Sequence, residues 1–119
     1  MKNEKEIKTN DLRIIAVDFD GTLVTDKFPD IGEPIMKTWN KIRFEQAKGS
    51  RIILWTCRNG AALEAAVKFC KNEMKFHFDA INDNLDEIKV LYGGDTRKVF
   101  ATEYWDDKAV LVRVDNHAD

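Results

Sequence analysis

The residues best suited to chemistry stand where apolar runs stop. Asp18 and Asp20 close one run and flank Phe19, Thr56 closes a second, and Lys98 precedes a third that ends in Asp106 and Asp107. This set suits phosphoryl transfer, which needs a nucleophile, a proton carrier, a metal and donors for phosphate oxygens. An Asp carboxylate attacks phosphorus directly and forms an aspartyl-phosphate, splitting one hard step into two easier ones. With an ordinary pKa near ~4 it is ionised at neutral pH and needs no activating base. Attack by an anion on a phosphate dianion is repulsive, so a cation must intervene. Mg2+ takes hard oxygen ligands, and two or three of these carboxylates are suitable once gathered on one edge. Thr56 would donate a hydroxyl hydrogen bond to the phosphate, and Lys98 would bring positive charge to the same oxygens. If the chain turns at Gly21, Asp20 swings back towards the leaving group as general acid/base.

Those residues must be positioned by strands that end together. Arg13-Ile14-Ile15-Ala16-Val17 and Arg51-Ile52-Ile53-Leu54-Trp55 are short continuous apolar runs, the pattern of strands buried on both faces. Carboxylates just after such strands sit where open α/β sheets place their ligands. Between the two runs, Pro34 and Gly49 bound a helix whose apolar spacing is set by Ile35, Trp39 and Ile42. A second helix follows Asn59, with Leu63, Val67, Cys70 and Met74 forming its apolar stripe. Residues 76–81 read as a third strand, 85–91 as a short helix stopped by Gly93-Gly94, 99–105 as a fourth strand and 110–114 as a fifth. Strands alternating with helices predict an α/β fold: one Rossmann-like three-layer domain over 11–119, with a mostly parallel sheet of about five strands, preceded by a frayed polar tail over 1–10.

Composition narrows the function classes. The net charge of -2 provides no basic surplus for nucleic acid or an anionic membrane, so a small phosphorylated metabolite is the expected partner. No apolar run approaches the roughly 18 residues that span a bilayer. Residues 1–12 are highly charged and lack the apolar centre of a leader, so a reduced, cytoplasmic setting is expected. Of the two cysteines, Cys70 lies on an apolar helical stripe and reads as a small buried hydrophobe.

DFDGTL at 18–23 resembles the first signature of the haloacid dehalogenase-like (HAD) phosphohydrolase superfamily. LWTCRNG at 54–60 resembles the second, and Lys98 with WDDK at 105–108 the third and fourth. The ordered set spans about residues 13–108. The resemblance implies a phosphatase with Asp18 as nucleophile and metal ligand, and Asp20 as general acid/base with its backbone carbonyl on the metal. It implies that Thr56 and Lys98 hold the phosphoryl group, and that Asp106 and Asp107 complete the Mg2+ site, with Asp107 favoured as the direct ligand. The superfamily normally inserts a cap domain between signatures. Here Asp20 and Thr56 are 36 positions apart (56 minus 20) and Thr56 and Lys98 are 42 apart (98 minus 56), room for core elements only. The chain thus resembles the capless branch, and FPDIGEPI at 28–35 is similar to small bacterial and phage proteins of that branch. Related members often read A-D-x-Y-I-D-D before the last acidic pair; here Thr102 and Trp105 replace the first Asp and the Ile. Without a cap, specificity would come from surface loops such as residues 25–33 or from a partner subunit, and a homo-oligomer would supply a substitute lid.

Other readings compete at several positions. Asp18 and Asp20 also suit a plain turn. An EF-hand loop would need Gly at its sixth position, whereas Gly21 is fourth. Arg97 competes with Lys98. Cys57 has no evident His base and reads as a bystander whose backbone N–H reaches phosphate. Arg58 and Asn59 lie where a substrate would enter, so Arg58 is a candidate leaving-group contact; equally, the pair reads as a surface helix start with Asn59 as N-cap. A phosphorelay receiver module uses similar residues but places its acceptor Asp after the third strand, where this chain has Ile81-Asn82-Asp83-Asn84. A nucleic-acid 3′-phosphatase would suit an open site but lacks a basic stripe.

Overall fold

The two buried runs form the centre of the sheet. In the computed structural model, which describes residues 12–114, the elements in chain order are β1 (Ile14–Val17), α1 (Met36–Ala47), β2 (Arg51–Leu54), α2 (Gly60–Asn72), β3 (Ala80–Ile81), α3 (Asp86–Tyr92) and β4 (Glu103–Trp105). The strands are ordered β3-β2-β1-β4, and every pair is parallel. β1 is therefore central, with Val17 level with Leu54 of β2 and Trp105 of β4. That register brings the chain after each of these strands to one edge. The expected tail over residues 1–10 lies outside the described residues.

Alternation along β1 divides the core in two. Ile15 and Val17 pack with Ile52, Leu54, Trp39 and Ile42 of α1, and Ala66 and Cys70 of α2. Ile14 and Ala16 pack on the other face with Ile53, with Leu85 and Ile88 around α3, and with Val99 and Ala101. Side chains of successive strand residues point to opposite faces, so a strand covered on both sides must be apolar throughout. The result is three layers: α1 and α2, the sheet, and α3. Trp39 adds a polar tie, its indole N–H donating to the Leu23 carbonyl at 2.8 Å. Gly93, at φ +72°, ends α3 in the left-handed conformation that glycine adopts without steric cost. Among the described residues, no helix is long and apolar enough to cross a membrane.

Among the described residues the sheet has four strands, not about five. Val110, Leu111, Val112 and Val114, read as a fifth strand, have no sheet partner and are 74–83% exposed. A run of β-formers encodes a fit to a pleated surface but does not specify which surface. The third and fourth strands are also shorter than expected, because side chains replace part of the ladder. The Asp79 carboxylate accepts the Ile52 N–H at 2.7 Å, and the Thr102 hydroxyl accepts the Ile14 N–H at 2.8 Å. Phe76 and Phe78 leave the sheet and stack edge-on with each other, and Phe76 with Trp39.

Candidate active site at the carboxyl ends of the strands

Asp18 follows β1 directly and is half-buried. Its N–H donates to the Trp105 carbonyl at 2.9 Å, which fastens it to the end of β4. Phe19 turns into the core, and its carbonyl accepts N–H groups from Thr22, Leu23 and Val24. This knot reverses the chain and leaves Asp18 and Asp20 on the open side. Gly21, at φ +88°, occupies the tightest point. A Cβ there would lie 2.4 Å from Asp107 Oδ2, so only glycine lets the β1 loop and the acidic pair approach this closely.

The structure brings together the side chains of Asp18, Asp106 and Asp107, the three expected to offer a carboxylate to the metal. Single carboxylate oxygens of Asp18, Asp106 and Asp107 lie within 4.8 Å of one another. Asp107 is held by its N–H donating to Thr22 Oγ1 at 3.2 Å, and Asp106 by accepting the Lys108 N–H at 2.8 Å. The Asp18 pKa is raised to about 6, first by burial and then by the charges of Asp106, Asp107 and Asp20; a backbone hydrogen bond from Phe19 opposes the rise. A cluster of hard oxygen donors whose own charges repel one another fits a divalent cation such as Mg2+.

Thr56 lies at the end of β2, beside Asp18. Its N–H donates to Asn82 Oδ1 at 2.8 Å, and its hydroxyl oxygen accepts the Arg58 N–H at 3.1 Å. The hydroxyl proton stays available as a donor. Thr56 and Cys57 line a cleft of about 550 Å³ with Asp18, Asp20, Asp26, Phe28, Trp55, Arg58, Asp106 and Lys108. Both cysteines are free; Cys57 is exposed, and burial pushes the Cys70 thiol up to about 12. Lys98 lines an adjoining cavity of about 310 Å³ that shares Asp18, Trp55 and Asp106 with the cleft. Its ammonium stands 5.5 Å from the centre of the Tyr104 ring. Arg97, its competitor in sequence, lines neither cavity.

Arg58 departs from the expectation of a leaving-group contact. It is 2% exposed, and its guanidinium is fully engaged. Nε donates to Asp20 Oδ2 and Nη2 to Asp20 Oδ1, each at 2.8 Å. The remaining N–H groups reach the carbonyls of Pro29, Ala62 and Asp30. Pairing with Asp20 raises the Arg58 pKa above its usual value. Arg58 has no donor left for a substrate; it fixes Asp20 and the loop over 28–30 instead. Asn59 is exposed at the N-cap position of α2, makes no capping side-chain hydrogen bond, and does not line the cleft. Phe28 and Asp26, in the loop over 25–33, and Lys108 of WDDK also line the cleft, although nothing in the sequence marks any of them individually. They lie on loops without periodicity, and only the fold brings them to the strand ends.

No family model matches the chain, and no curated protein matches it. Among solved structures, it is similar to a conserved protein encoded by a locus of Bacteroides thetaiotaomicron. The two share 35% sequence identity over 83% of this chain and 78% of that one, with a TM-score of 0.73. The chain belongs to the same family as that conserved Bacteroides protein.

Proposed function

We propose that this chain is a magnesium-dependent phosphomonoesterase of the capless HAD type, working through an aspartyl-phosphate on Asp18. One observation carries the reading: the Asp18 carboxylate, at the end of the central strand, shares a 4.8 Å cluster with Asp106 and Asp107 and a cleft with Thr56. Asp18 attacks phosphorus, and the ester oxygen leaves with a proton from Asp20. Asp20 then takes a proton from water, which attacks the aspartyl-phosphate and releases inorganic phosphate. Arg58 keeps hold of one Asp20 oxygen in these steps, and the other leaves the fork to carry the proton. The Thr56 hydroxyl and the Lys98 ammonium bind the phosphoryl oxygens from the two cavities that share Asp18. The carboxylates of Asp18, Asp106 and Asp107, with the backbone carbonyl of Asp20, would hold Mg2+. Bound there, the ion neutralises the charge that otherwise repels nucleophile from phosphate. A receiver-like role fits less well, because the residue after β3, Asn82, is engaged in holding the Thr56 backbone.

The test is p-nitrophenyl phosphate hydrolysis with and without Mg2+, beside Asp18→Asn. Activity that needs both the metal and Asp18 supports the reading; activity retained by Asp18→Asn overturns it.

A further inference from the structure

The lining of the cleft combines an acidic surplus with ring surface. Asp18, Asp20, Asp26 and Asp106 line it, against only Arg58 and Lys108. Arg58 has spent all its N–H donors on Asp20 and three carbonyls. Lys108 Nζ lies 3.4 Å from Asp107 Oδ2 and also feels the charges of Asp26 and Asp18. Once a phosphoryl group occupies the Asp18 end, Lys108 is the one lining cation with N–H donors to spare among the described residues, and with Asp107 and Asp26 beside it the acidic lining still opposes a second anion.

The lining also carries two aromatic rings. Trp55 is half-buried, whereas Phe28 is 58% exposed in a polar loop. Phe28 does not hang free: the Arg58 guanidinium carbon lies 5.1 Å from its ring centre and 5.0 Å from that of buried Phe19. A saturated, immobile guanidinium thus fixes the placement of an exposed ring, giving a preformed apolar surface. A cleft of about 550 Å³ has room for a phosphoryl group and a ring-sized substituent.

We propose that the site selects phosphomonoesters whose leaving group is uncharged and offers a flat apolar face, and that it rejects esters bearing a second anion. The inference rests on the phosphatase reading for the seat of the phosphoryl group. It makes Phe28 a specificity-determining residue and Asp26 the repelling one.

The test is calorimetric binding, in the presence of Mg2+, of benzylphosphonate, para-carboxybenzylphosphonate and methylphosphonate. Benzylphosphonate should bind about tenfold more tightly than either of the others, since one loses the ring and the other adds an unpaired anion. Phe28→Ala should cut the advantage of benzylphosphonate over methylphosphonate about fivefold. Equal or tighter binding of the carboxylated ligand overturns the inference, as does a benzyl group that adds nothing or no binding of any phosphonate. If the binding order holds while p-nitrophenyl phosphate is not turned over, the selectivity stands and the phosphatase reading fails. Turnover with the reversed binding order means the opposite.

Discussion

Arg58 grips Asp20 with two parallel hydrogen bonds of 2.8 Å, one to each carboxylate oxygen. A fork of this kind fixes the carboxylate plane as well as its position, which a single point charge cannot do. Asp20 comes from the loop after β1 and Arg58 from the turn between β2 and α2, so the pair joins the two loops that frame the cleft. Arg58→Ala would leave Asp20 and three carbonyls without their donors and should destabilise the fold by about 3 kcal/mol. Arg58→Lys keeps the charge but loses the fork. Because the disturbed group is the proposed proton carrier, both variants should lower kcat by about tenfold or more, with a smaller change in KM. Steady-state kinetics and chemical denaturation check the two effects separately. A kcat close to wild type in a folded Arg58→Lys would show that Asp20 does not depend on its partner.

Gly21 tests the closeness of the β1 loop to the acidic pair. Gly21→Ala introduces a Cβ 2.4 Å from Asp107 Oδ2 at a backbone angle that alanine resists. The least costly response is displacement of Asp107. Mg2+ affinity should fall by about tenfold, and activity should return in part at high metal concentration. Titration calorimetry with Mg2+ and activity against metal concentration measure both.

The acidic cluster predicts a trade of stability for function. The Asp18 pKa is raised to about 6 from 3.8, so the folded protein binds that proton more tightly than the unfolded chain does. The resulting stabilisation is complete below the unfolded value and is lost as pH rises through about 6. The metal-free wild type should therefore melt lower at pH ~7.5 than at pH ~5 as far as Asp18 is concerned. Asp18→Asn should flatten this dependence and raise Tm by about 4 °C near neutral pH. Adding Mg2+ should raise the Tm of the wild type more than that of Asp18→Asn. Thermal scans of both proteins at two pH values, with and without the ion, decide the matter. An Asp18→Asn variant less stable than metal-free wild type would contradict the repulsion.

Thr56 and Lys98 approach Asp18 from different cavities and should fail differently from Arg58. Lys98→Ala should cut kcat/KM by about a hundredfold, because it removes charge from oxygens that gain it in the transition state. Thr56→Val removes one hydroxyl donor and should cost less, about tenfold. Kinetics on one aryl phosphate suffice, with circular dichroism to confirm folding.

Much of the site was legible because strand ends are. Buried parallel strands must be apolar throughout, so the first polar residue after Val17 and the Thr two residues after Leu54 mark the sheet edge without any structure. The paired acids after Trp105 announce themselves in the same way. Arg58 was not legible as a clamp. Nothing in the spacing of residues 20 and 58 reveals that the two loops meet, and an Arg beside a phosphate-binding Thr reads equally well as a substrate ligand. Val110 to Val114 shows the converse failure, since a run rich in β-branched residues looks like a strand whether or not a partner exists. At Asp79 and Thr102 a side chain takes the place of a strand carbonyl, which shortens β3 and β4 in a way that hydrophobic pattern cannot register.

The proposed intermediate is a bond between phosphorus and Asp18, and it can be trapped. Asp20→Asn should slow water attack and let the aspartyl-phosphate accumulate from p-nitrophenyl phosphate and Mg2+. Borohydride reduces an acyl phosphate to an alcohol, and peptide mass spectrometry locates it. Homoserine is expected at position 18, only when the metal and the ester are both present. Phosphate release with Asp18 unmodified, or reduction at any other carboxylate, would contradict it.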